Sequence, residues 1–383
     1  MPCHVLVDAT RNLHCIEWQL ESPRGDYSII KRRLHCGVSE GVDLLEIKAE
    51  RVSLTLIPTR GLSLLDARIG ELPLGWQSPI PEPVHPKYVP LAEPHGYGFL
   101  AGPNELMFRC GLESLGRPDF TADGVLKYSL HGRIANLPVH YLDVSIDEDA
   151  AQVVVRGQIA ERRFLRQKLL LEVKYVVDLS SGCISWTDQV LNLGQQLAQL
   201  QMMYHVNLGP PILQEGSRFL APYRQVVPRD ADAQAGVSVW NLYGPPQADY
   251  REQVYFIELA GDDAGQTVVM LADRDSNVGA CLRFNVHELP CFTLWKNTQS
   301  VADGYVTGIQ PGTSFPNPRG FEEQRSRIVQ LGPRTKWMTT VTLQALGDAR
   351  EVIRVRDEVL GLHKSTAPSV EATPLQSLSA DAL

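Results

Sequence analysis

The chain has 383 residues, 44% hydrophobic and 21% charged, enough for a sizeable core in one large domain or two ordinary ones. Thirty-six Lys and Arg against 44 Asp and Glu leave a net charge of −8, which argues against the dense basic face that a phosphate backbone requires. No apolar run approaches the roughly 20 residues of a membrane span, so neither nucleic acid nor membrane is an expected partner.

The N-terminus lacks a basic stretch leading into an apolar block. Its three Cys/His neighbours, Cys3-His4, His14-Cys15 and His35-Cys36, place adjacent side chains on opposite faces of any strand, a poor arrangement for one ion. We expect no metal and no cofactor. The seven cysteines have no framework spacing, which fits reduced thiols in a cytoplasmic protein.

Val52–Ile57 alternates apolar and polar residues and ends in a Pro58-Thr59-Arg60-Gly61 turn. The connector from Leu72 to Pro94 carries seven prolines, and its Trp76 and Tyr88, with His95-Gly96-Tyr97 beyond, could wall a pocket. In His131-Gly132-Arg133, extended geometry would project His131 and Arg133 together, an imidazole beside a guanidinium fork for a polyhydroxylated or anionic ligand.

Strand-like runs follow at Gln152–Arg156, Leu169–Leu179 and Cys183–Leu193. The run Gln201-Met202-Met203-Tyr204-His205-Val206-Asn207 reads as strand core that presents His205 and Asn207 on one face. More strands are expected at Val237–Leu242, Val254–Leu259, Gln266–Leu271, Cys281–Val286 and Phe292–Trp295, the last followed by Lys296. Tyr305–Thr313 reads as a strand entering a loop that offers Gln310, Asn317 and Arg319 as polar groups. Lys336–Leu343 closes the set. Asp348–His363 carries Val352, Val355, Val359 and Leu362 on one helical face. The small polar residues of 365–383 predict a mobile tail after a single domain spanning 1–364.

Short strands punctuated by Gly, Pro, Asp and Asn, without alternating helices, predict an all-β fold. The expected form is a large antiparallel β-sandwich with few short helices. No Gly-x-Gly-x-x-Gly or P-loop spacing supports nucleotide binding.

Leu130-His131-Gly132, Tyr204-His205-Val206-Asn207-Leu208 and Gly308-Ile309-Gln310-Pro311 together resemble the aldose 1-epimerase (galactose mutarotase-like) superfamily. Pro58-Thr59-Arg60-Gly61-Leu62, Trp76-Gln77-Ser78-Pro79, Cys110-Gly111-Leu112 and His131-Gly132-Arg133 resemble its DUF4432 branch. The resemblance covers roughly Val52 to Leu343. It implies a galactose mutarotase-like supersandwich with a carbohydrate cleft, and a monomer or homodimer acting on a small-molecule carbohydrate. It further implies His205 as general acid, His131 as a second histidine at the sugar, and Arg109 holding a hydroxyl.

The resemblance places a catalytic Glu at the position of Gln310, and an amide has no pKa usable by a base. Glu322, Glu323, Asp303 and Glu105 are the candidate substitutes, and His131 opposite His205 is another. Three functions are therefore carried forward: a sugar isomerase by His-mediated proton transfer, a silent carbohydrate-binding protein, and a keto-sugar epimerase or lyase. In the last, Lys296 and Arg133 would stabilise an enolate oxygen.

Overall fold

The computed structural model describes residues 3–363 and 368–382. Two sheets of ten and fourteen strands face each other, and among the described residues the long strand pairings are antiparallel. Their inner faces meet in one apolar core that includes Tyr175, Trp186 and Val190 from one sheet and Leu56, Tyr204 and Ile309 from the other. Alternation in the strands sends every second side chain into this core. Burying each large aliphatic or aromatic side chain stabilises the packing by about 1.5–3 kcal/mol.

The expected strands between Val52 and Leu343 are present with ends shifted mostly by one to three residues, and Gln152–Arg156 extends to Arg162. Val237–Leu242 is the exception. It forms a 3-10 turn at Val237–Val239, with Trp240 packed edge-on against Phe219 and Tyr223. Trp240 and Val237 pack on the core from a loop while Val239 stays exposed, and a single isolated bridge, Leu242 to Arg218, joins the segment to a sheet.

The expected helix forms over Ala349–Gly361, its first turn capped by Asp348, whose carboxylate accepts the Glu351 N–H. Val352, Val355 and Val359 pack on Val268, Met270 and Cys281. The expectation of a mobile tail needs correcting for its described part, residues 368–382. Ser369–Val370 pairs in parallel with Gln225–Val226. Ser379 is buried and donates to the Arg229 carbonyl at 2.6 Å, and Asn317 donates to the Leu378 carbonyl at 2.9 Å. Small polar residues here bind backbone and charge on the body of the protein, and Leu378 packs against the cluster of Val254, Phe256, Cys291 and Phe315. Residues 365–367 and 383 lie outside the described residues.

Five neighbouring strands of the larger sheet carry the site, and we label them β1 (Met107–Leu112), β2 (Ala198–Leu208), β3 (Gln253–Leu259), β4 (Cys291–Thr298) and β5 (Tyr305–Gly312). Their spatial order is β3-β4-β5-β2-β1.

Candidate active site

Residues paired across neighbouring strands share a face, so register decides what the cleft contains. Tyr204 pairs with Arg109 and His205 with Phe108 between β2 and β1. Tyr204 belongs to the inter-sheet core, so Arg109 points there too, whereas Phe108 and His205 point outward. On the outward face Thr293 lies opposite Gln310, and Trp295 lies opposite both Gly308 and Val254.

These side chains floor a cleft of about 460 Å³, walled by Trp76, Tyr97 and Phe99 from the loops that precede β1. His131 enters from a tight turn in which its own φ is 59° and that of Gly132 is 70°. A Cβ on Gly132 would sit 2.1 Å from the Ser114 carbonyl oxygen, so the turn can pack this closely only with glycine there.

The two imidazoles meet edge to face, their centroids 5.5 Å apart. His205 stacks on Phe108 at 4.7 Å and meets the Trp295 ring edge-on at 5.5 Å. The Gln310 amide nitrogen donates to Nε2 of His205 at 2.9 Å. With the amide oriented this way, a lone pair sits on Nε2 and the ring proton on Nδ1, which has no partner among the described residues. The Nδ1 of His131 donates to the Leu115 carbonyl at 3.0 Å, which leaves a lone pair on its Nε2 as well.

Burial disfavours the charged form of both rings. The pKa of His131 falls to about 4, and that of His205 falls well below the ordinary 6.5, with the neighbouring His131 as a second cause. Two neutral imidazoles therefore face the cleft at neutral pH.

Asn207 completes the polar floor. Its amide donates to the Glu105 carbonyl at 2.9 Å, the same oxygen that accepts the Trp76 indole N–H at 3.1 Å. Gly308 keeps room for these groups, since a Cβ there would lie 2.4 Å from the Gln310 amide nitrogen and 2.9 Å from a His205 ring carbon.

The structure thus brings His131, His205, Asn207 and Gln310 to one cleft and places the other expected site residues elsewhere. Arg109 is fully buried between the sheets, paired with Asp188 at 2.5 Å and 2.9 Å and donating to the Gly61 and Leu62 carbonyls. Lys296, one residue past Trp295, points into the core and donates to the Val239 and Leu242 carbonyls. It therefore cannot stabilise an enolate in this cleft. Arg133 lines a different cavity, because the positive φ at His131 and Gly132 turns the chain and breaks the extended i, i+2 relation.

Asn317 bonds Glu322 and the Leu378 carbonyl, and Arg319 bonds the Glu113 carbonyl and Gln199. Both hold segments together. The four substitute carboxylates are also occupied away from the cleft. Glu105 pairs with buried Arg60, Glu322 with Arg327, Glu323 accepts from Gln199, and Asp303 accepts from Ser300. Of the connector's aromatic candidates, Trp76 and Tyr97 line the cleft, whereas Tyr88 and His95 do not.

Three charged residues of the cleft escaped the sequence reading: Arg117, Arg229 and Glu252. Among the described residues Glu252 is the one carboxylate on the cleft wall. It accepts the Trp295 indole N–H at 2.7 Å and pairs with Arg229 at 3.0 Å. Asp381 of the tail pairs with Arg117 at 2.8 Å. Arg117, Arg229 and Glu252 sit just outside strand ends, where periodicity carries no signal. Among the described residues no three His, Cys, Asp or Glu side chains gather as a metal would require.

This two-sheet sandwich, with His205 on the outward face of one sheet and His131 reaching it from a turn, has the galactose mutarotase-like fold. The family model described as a domain of unknown function, DUF4432, matches residues 39–345, and the chain belongs to that family. It is 34% identical to a Klebsiella pneumoniae protein of known structure that is named provisionally as an aldose 1-epimerase. That likeness has a TM-score of 0.95 and covers 98% of this chain and 99% of the other. A galactose mutarotase-like protein from Clostridium acetobutylicum shares the fold at 17% identity, with a TM-score of 0.55 over 86% of this chain and 98% of its own. A galactose 1-epimerase from Lactobacillus acidophilus shares it at 11% identity, with a TM-score of 0.52 over 82% and 97%. No curated protein matches the chain.

Proposed function

We propose that this protein is a carbohydrate-active isomerase of the aldose 1-epimerase type, interconverting sugar anomers with His205 as a one-group proton shuttle. One observation carries the reading: a neutral imidazole with its Nε2 lone pair bonded only to a displaceable amide, in a cleft walled by aromatic rings. Flat aromatic faces suit the apolar C–H face of a sugar ring, and a few convergent polar groups fix its orientation.

In this scheme the anomeric hydroxyl displaces the Gln310 amide and gives its proton to His205 Nε2. The bond from the anomeric carbon to the ring oxygen breaks as the carbonyl forms, and the imidazolium returns the proton to the ring oxygen. The aldehyde rotates, and the reverse steps close the other anomer. Atoms and charge balance without a second base, so a glutamine at 310 is no obstacle. Sequence reasoning expected His205 to begin as the acid; a neutral resting ring makes it acceptor first and donor second. His131 Nε2 and Asn207 accept and donate at neighbouring hydroxyls, and Glu252 accepts a hydroxyl at the far wall.

The test is NMR saturation transfer between anomers across a panel of aldoses. Wild type is expected to accelerate exchange for at least one sugar, His205→Ala to abolish it, and Glu252→Gln to slow it less than about a hundredfold, short of the loss typical of a general base. No acceleration with any sugar rejects isomerase activity, and abolition by Glu252→Gln moves the base to Glu252. Gln310 favours one other reading, sugar binding without turnover, which predicts saturable line broadening and no exchange.

A further inference from the structure

Ser129, Gly132 and Arg133 belong to the same turn as His131, yet they line a second cavity of about 300 Å³ that includes none of the residues of the aromatic cleft. Its charged lining is Lys127, Arg133 and Arg163 against Glu113, in a protein whose overall charge is −8. The site is thus a local excess of positive charge on an acidic molecule.

Its cations are loosely committed. Arg163 approaches Glu113 only to 3.9 Å, and the Lys127 ammonium rests over the Tyr128 ring at 5.2 Å. The Arg133 guanidinium makes no hydrogen bond or ion pair with any described residue, whereas Arg60, Arg109, Arg319 and Arg327 each hold several acceptors. Buried Glu161 feels the Arg133 charge, but the two form no ion pair, and its carboxylate accepts the Leu112 and Glu113 N–H groups.

A second observation is independent of charge. Ser114 lines this cavity at 1% exposure, and its buried hydroxyl has no partner among the described residues. An orphaned buried hydroxyl costs about 1–3 kcal/mol unless something bonds to it. Ser114 shares the cavity lining with Arg133, whose guanidinium has no acceptor among the described residues.

We propose that this cavity is a binding site for a small oxyanion-bearing metabolite, a phosphate ester or carboxylate, held by the Arg133 fork, the Ser114 hydroxyl and the charges of Lys127 and Arg163. A planar guanidinium fork matches two oxygens of either group. The 300 Å³ space suits a metabolite better than a macromolecule.

The site also adjoins the cleft mechanically. The Arg133 N–H donates to the Gly111 carbonyl at 3.0 Å, the His131 N–H to the Gly116 carbonyl at 2.9 Å, and the His131 ring to Leu115, next to Ser114. A ligand bridging Ser114 and Arg133 therefore clamps the two segments that position His131. The proposal does not depend on the sugar reaction.

The experiment is calorimetric titration of the full chain with inorganic phosphate and, separately, acetate, together with the NMR shift of the His131 ring protons. At least one probe is expected to bind saturably, one per chain and more weakly as salt rises, and to shift the His131 signal. Arg133→Ala should weaken binding at least tenfold and Ser114→Ala severalfold; the serine variant removes one oxygen and guards against misfolding. Absence of saturable binding by both probes, wild-type binding in both variants, or abolition by Arg117→Ala instead would overturn the site.

Discussion

Replacing Gln310 with glutamate separates the one-group shuttle from the view that this chain has lost a catalytic base. The Gln310 amide nitrogen lies 2.9 Å from His205 Nε2, so a carboxylate in its place meets the imidazole directly. At about 3 Å and an effective dielectric constant of about 20, Coulomb attraction to an imidazolium is roughly 5–6 kcal/mol, an upper bound of about 4 pKa units. Desolvation of the new carboxylate offsets part of this, and an opposite charge in contact typically shifts a pKa by about 1–3 units. Gln310→Glu should therefore raise the His205 pKa from its depressed value by about that amount. Protonated His205 has no lone pair, so the shuttle predicts unchanged or slower exchange at neutral pH and a rate that recovers as pH rises. The assay pairs an imidazole NMR titration with anomer-exchange rates from pH 5 to 9. A tenfold faster exchange at pH 7, or an unmoved His205 titration, would refute the reasoning.

Four other outcomes follow from the same geometry. In wild type, anomer exchange should persist as pH falls through 6.5 and decline only toward the depressed values of the two histidines; a midpoint near 6.5 in the pH–rate profile would contradict neutral resting rings. Because both folded-state pKa values lie below the unfolded value of about 6.5, the unfolded chain binds more protons below that pH. Stability is then fully present above 6.5 and falls as pH drops toward 4, as urea midpoints would show. Gly308→Ala should keep the fold but push on Gln310 and His205, cutting kcat tenfold or more with little change in thermal midpoint. Asp188→Ala strands the fully buried Arg109 charge and should cost about 3–5 kcal/mol in chemical denaturation; a stable variant with only a raised KM would return Arg109 to the substrate.

Much of the fold was legible because strands buried on one face write their period into the sequence. The helix at Ala349–Gly361 was legible too, from Val352, Val355, Val359 and Leu362 on one face, whereas its Asp348 cap emerged only in the structure. Val237–Leu242 carried the same alternation, but it forms a 3-10 turn from which Trp240 packs on the core and Val239 faces out. Motif order located His131, His205, Asn207 and Gln310. The faces of Arg109 and Lys296 were not legible, because a one-residue change of register inverts every side chain, and register emerges only when β1 meets β2 and β4 meets β5. Tyr204 opposite Arg109 settles the first case and Trp295 beside Lys296 the second. Glu252 reaches the cleft from beyond the end of β3, so only its contacts with Trp295 and Arg229 reveal it.

A crystal structure with an exchanging aldose bound tests the account most directly. The account predicts the sugar between Trp76 and Trp295, with its anomeric and ring oxygens within about 3.2 Å of His205 Nε2 and the Gln310 amide displaced from that atom. A sugar seated elsewhere, or one whose anomeric oxygen meets Glu252 while His205 keeps its bond to Gln310, would contradict it.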